Sequence, residues 1–98
     1  MADEALDEKQ LQERIEEELR KLKVQDILLQ TSFTLASLGF RRLGEVDRDL
    51  EQGRLAIEAL RALLPVLREV MPQEVTRDLE QTLANLQLAY ADAAKSGG

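Results

Sequence analysis

The stretch VQDILLQTSFTLASLGFRRL, from Val24 to Leu43, decides the fold. Wound at about 3.6 residues per turn, Leu29, Phe33, Ala36 and Phe40 form one stripe, and Leu28, Leu35 and Leu38 form an adjoining one. Only Gln30, Thr34, Ser37 and Arg41 align as a polar strip. A helix this apolar has to be covered from more than one direction, so the pattern predicts a helical core and a packing partner beyond it.

Upstream, residues 3–23 are strongly charged. Asp3 is placed to cap a helix, and Glu4, Asp7 and Glu8 complement its positive end. Glu16 with Arg20 and Glu17 with Lys21 are i,i+4 pairs in the favourable order, each worth about 0.3 kcal/mol. Leu11, Ile15, Leu19 and Leu22 form a single narrow apolar stripe, which predicts an exposed amphipathic helix over residues 4–22. Asp26 can cap a new helix after a short break, so two alternatives stand here: a continuous rod through residue 40, or two separate helices.

Downstream, Gly39 and Gly44 are both candidates for a left-handed helix stop. Asp49-Leu50-Glu51-Gln52 has the spacing of a capping box and predicts a helix from residue 50 to about 70. Leu50, Ile57, Leu60, Leu64, Leu67 and Met71 are its expected buried face. Pro65 falls on the outer stripe with Glu58, Arg61 and Glu69, where water can satisfy the freed carbonyl, so a bend rather than a stop is expected. Pro72 fits the first turn of a last helix, about residues 73–93, with Val75, Leu79, Leu83, Leu86 and Tyr90 inward. Leu88 shares the outer stripe with Gln81, Asn85 and Asp92 and reads as a stray surface leucine or an interface residue. Residues 94–98 are expected to be a disordered tail.

Composition narrows the chemistry. The 98 residues form one domain, 44% hydrophobic, whose aromatic residues are Phe33, Phe40 and Tyr90, so the core is built from Leu, Ile, Val and Ala. With no His and no Cys, the chain lacks Ser-His-Asp and Cys-His nucleophilic sites, the usual zinc ligand sets, the Glu-x-x-His motifs of di-iron bundles and every disulfide. A net charge of −6 without a basic face argues against nucleic acid. The acidic N-terminus has no secretory pattern, and the central apolar run falls short of the ~20 residues that span a bilayer. A soluble, cytoplasmic protein with no cofactor is expected.

The carboxylates of Glu13, Glu16 and Glu17, and of Glu74 and Asp78, share helix faces, but interleaved Arg and Lys make each set a solvated charged surface. Gly39, Gly44 and Gly53 form no phosphate-cradling loop. Gly53, inside a helix, is either a tolerated weak point or a place where another backbone comes close, at the Thr31, Ser32 and Ala36 surface. Arg41 and Arg42 are expected to meet solvent or nearby carboxylates such as Glu45 and Asp47.

Residues Phe33 to Gly39, FTLASLG, then DLEQGRLAIEALRAL from Asp49, and Leu83-Ala84-Asn85-Leu86-Gln87-Leu88-Ala89-Tyr90 carry a family pattern. Over about residues 26–91 the chain resembles a small bacterial α-helical family, domain of unknown function eighteen-forty-four. Ile57-Glu58 sits where that family keeps an Ile-Asp/Glu pair, whereas Pro65 and Ala84 depart from it. The resemblance implies a compact α-helical domain and no catalytic residues.

The sequence therefore predicts an all-α small bundle of three to four helices: a charged N-terminal helix in residues 1–23, a bundle in 24–93 and the tail. Its expected role is that of a non-enzymatic helical protein–protein interaction module that self-associates as a homodimer and meets an as yet unidentified protein partner. Leu28, Thr31, Ser32, Leu35, Leu38 and Leu88 are the candidate self-association residues. Leaving Leu28, Leu35 and Leu38 in water forfeits several kcal/mol, against a whole-domain stability of about 5–10 kcal/mol. The alternative is a bundle holding an apolar small molecule against Phe33 and Phe40.

Overall fold

The computed structural model describes residues 2–96, with side chains from Asp7 onward. The chain forms four helices and, among those residues, no strand: α1 (Ala2–Lys21), α2 (Val24–Leu43), α3 (Leu50–Val70) and α4 (Gln73–Lys95). It is an all-α small bundle.

Helices α2, α3 and α4 pack on one another, while among the described residues α1 touches none of them. Gly39 lies against Ala56 and Leu43 against Gly53, which makes α2 and α3 antiparallel. The core is a leucine ladder. Leu60, Leu67, Leu79 and Leu86 are fully shielded from solvent, each burial worth about 1.5–3 kcal/mol relative to exposure. Leu43, Ile57, Leu64 and Leu83 complete the ladder. Leu50, Met71, Val75 and Tyr90, expected inside, are only partly buried against it.

Local signals act where they are local. The Asp49 carboxylate accepts from the Gln52 backbone N–H at 3.2 Å, so the third helix starts where its cap residue says. Pro65 is exposed and α3 runs through it. Pro72 stands just before α4 rather than inside its first turn.

Other expectations need correction. Gly39 is a buried residue in mid-helix, and Gly44 ends α2 in an extended conformation, φ −76°, with its N–H bonded to the Arg41 carbonyl; neither is a left-handed stop. Asp26 lies in the first turn of α2, and Lys23, extended at φ −102°, is the residue before the helix. The rod is therefore broken at Leu22 and Lys23. Helix α4 continues through Lys95, so the expected tail is helical up to that residue; Gly97 and Gly98, like the Asp3 cap, lie outside what is described.

With its longest extent at 62 Å, the molecule has a radius of gyration of 18.7 Å, against about 13 Å for a compact domain of this length. The excess comes from α1. Leu11, Ile15 and Leu19 of α1, and Leu22 just after it, remain about half exposed, as the sequence leads one to expect of an exposed amphipathic helix.

Candidate interaction surface

On α2 the inward stripe is Ser32, Ala36, Gly39 and Leu43. Small residues lie here because the helices approach closely: a Cβ added to Gly39 would sit 3.1 Å from both Ala56 Cβ and Leu86 Cδ2. The Ser32 hydroxyl donates to the Leu28 carbonyl at 2.8 Å, which satisfies it in a site without solvent. Ser32 and Ala36 are thus sealed inside their own chain, and Ser32 is withdrawn as a self-association residue. Gly53 is likewise covered by the Leu43 side chain, not by a second backbone.

Leu28 and Leu35 lie at the margin, partly buried against the core. Thr31 and Leu38 are exposed on the flank beyond them, and Val24 and Ile27 continue it toward the start of the helix. Phe33 and Phe40 share the opposite flank of α2, also exposed. Leu88, 66% exposed, points away from the bundle on the outer side of α4, so the fold does not bring it to the α2 residues.

Helix α3 supplies what the sequence reading passed over. Taking the Leu60 direction as inward and about 100° per residue, Arg68 stands about 80° to one side of it. Leu55, Ala59, Ala62, Leu63, Val66 and Val70 stand about 60–160° to the other. Arg68 Nε donates to the Glu80 carboxylate on α4 at 2.9 Å, so its flank faces α4. The uncharged flank consequently faces the α2 side. Flanks of the same angular sense meet between antiparallel helices, and on α2 that sense is the one of Leu35, Thr31, Leu38 and Ile27. Register places Leu55 beside Leu38, and Val66 and Val70 beside the Val24–Ile27 end. The two flanks form one apolar face. Leu55, Val66 and Val70 are each about half exposed in it. The spacing of Leu55, Ala59, Ala62, Val66 and Val70, alternating steps of three and four, was the available sequence signal.

Arginines stand at the Leu43 end of this face. Arg41 donates to Asp47 at 2.8 Å. The Nε atoms of Arg42 and Arg48 are buried and have no hydrogen-bond partner among the described residues. On the far side of α3, Arg54 bridges Glu51 and Glu58. Its guanidinium holds the Glu51 carboxyl below its ordinary range, first by the hydrogen bond and then by its charge, and the Arg54 pKa is raised in return.

The hollows elsewhere are open and polar. One is lined by Gln10, Glu13, Arg14, Glu16, Glu17 and Arg20 along α1, and another by Arg68, Met71, Gln73, Thr76, Arg77 and Glu80 at the α3–α4 turn. Among the described residues, no group of three or more carboxylates is gathered in a way that could hold a metal ion, and no helix is long and apolar enough to cross a membrane. No family model, no curated protein and no solved structure matches this chain.

Proposed function

We propose that this chain is a non-enzymatic helical interaction module that self-associates as a homodimer through the α2–α3 face. The observation that carries the reading is the uncharged apolar surface on which Leu38, Val24 and Ile27 of α2 join Leu55, Val66 and Val70 of α3, all exposed. Surfaces of that kind mark contacts with other proteins. The excess of acids, net charge −6, favours protein partners over nucleic acid, and a cytoplasmic setting is part of the proposal. The resemblance to domain of unknown function eighteen-forty-four over residues 26–91 fits a domain of this size and adds no activity to it.

Light scattering of the full chain at micromolar concentration tests the reading. Twice the chain mass is expected, and Leu38→Glu with Val66→Glu should return it to a single chain while the helical circular dichroism of the bundle is kept. A monomer from the native sequence would defeat the proposal.

A second reading, an apolar small molecule against Phe33 and Phe40, is favoured by the exposure of both rings on one flank of α2. It predicts saturable binding of an apolar probe that Phe33→Ser and Phe40→Ser remove together.

A further inference from the structure

We propose that the two copies associate by exchanging their N-terminal helices, α1 of each lying along the α2–α3 face of the other. The inference rests on the self-association proposed above and names what covers the face.

Four observations lead to it. Helix α1 has 20 residues and α3 has 21, so both run for about 30 Å and one fits along the other. In proteins a helix draws most of its stability from packing its apolar face, yet among the described residues α1 touches nothing in its own chain and Leu11, Ile15, Leu19 and Leu22 stay exposed. The α2–α3 face is its counterpart: an apolar groove between two antiparallel helices, the seat a fourth helix takes in a four-helix bundle. Charge agrees with this placement. Helix α1 has eight acids against four bases, and Arg42 and Arg48 stand at the Leu43 end of the α2–α3 pair.

Area separates this arrangement from a face-to-face pair. Each half-exposed aliphatic side chain has on the order of 50–100 Å² of apolar surface left to bury. Two α2–α3 faces set against each other offer six such side chains from each copy, on the order of 600–1,200 Å² in all, at or below the lower limit of a standard interface. Exchange covers the α1 stripe and the α2–α3 face in both copies, on the order of 1,000–2,000 Å² in all, which is the size of a standard one.

The chain contains no cysteine, so the full-length variants Ile15→Cys and Ala62→Cys carry one thiol each. Both positions are exposed and lie near the middle of their helices, which makes the test independent of the direction in which α1 docks. Circular dichroism first confirms that each variant folds, and light scattering gives its mass. The two are then mixed, allowed to re-equilibrate and treated with a short bismaleimide. A cross-linked band at twice the chain mass, several times stronger in the mixture than with either variant alone, is expected. A band of equal strength from Ile15→Cys alone shows pairing of α1 with α1, and one from Ala62→Cys alone shows face-to-face pairing of α3; either overturns the exchange. A chain of twice the mass with no link in the mixture also overturns it and leaves self-association standing. A native chain that is monomeric by light scattering overturns both.

Discussion

Leu43 lies over Gly53, so close that a Cβ on Gly53 would fall 2.8 Å from Leu43 Cγ. The glycine is there for space, since it lies in the first turn of α3, and within a helix alanine is favoured over glycine by up to about 1 kcal/mol. Overpacking costs about 1–3 kcal/mol, so Gly53→Ala should lower stability by about 1 kcal/mol. In a Leu43→Ala background the same change should raise it. Urea melts of the four chains in a double-mutant cycle give the sign.

Leu86 and Leu88 stand two residues apart on α4 and should behave oppositely. Leu86 is fully buried and packs against Gly39, whereas Leu88 is 66% exposed. Leu86→Ala should cost about 3 kcal/mol, and Leu88→Ala less than about 0.5 kcal/mol. A comparable loss at Leu88 in chemical denaturation would show that this residue is covered by a second molecule.

Pro65 interrupts the backbone ladder of α3 on its exposed side. Pro65→Ala restores the N–H that bonds the Arg61 carbonyl and should stabilise the chain by about 1–3 kcal/mol. A thermal melt should move upward by several degrees; an unchanged or lower midpoint would mean that the proline is needed for packing.

Arg54 between Glu51 and Glu58 sets an acid-side prediction. The Glu51 carboxyl is held below the ordinary value of 4.5 by the Arg54 hydrogen bond and charge. A carboxyl lowered in this way adds stability that is present above its unfolded value and is lost as pH falls through the lower folded one. Because the pair is exposed, the effect is small and screened by salt. Carboxyl carbon shifts followed by NMR should show Glu51 titrating below the other exposed glutamates, and Arg54→Gln should bring it back among them.

The sequence is most legible where one residue acts on its neighbours. Asp49 caps α3 through a bond three residues away, and Leu60, Leu64, Leu67, Leu79, Leu83 and Leu86 stand inward because charged residues occupy one outer flank of α3 and the outer side of α4. Helix α2 is harder to read. Apolar nearly all round, it has no polar face strong enough to orient it, and what selects Ser32, Ala36 and Gly39 is their small size where three helices converge. Large apolar side chains such as Phe33 and Phe40 are left outside for the same reason. On α3 the leucine stripe masked the second flank from Leu55 to Val70, whose importance depends on which side of α3 the salt link from Arg68 to Glu80 assigns to α4.

The break at Leu22 and Lys23 divides the chain thermodynamically. In a lone chain α1 shares no contact with α2, α3 or α4 among the described residues, so it opens without disturbing the leucine ladder, and its amide hydrogens exchange with solvent long before those of the core. Unless α1 is exchanged onto a second copy, the protein is then two cooperative units rather than one. Heat unfolds them in separate steps, the van't Hoff enthalpy falls below the calorimetric one, and a protease meets its first accessible backbone between the two.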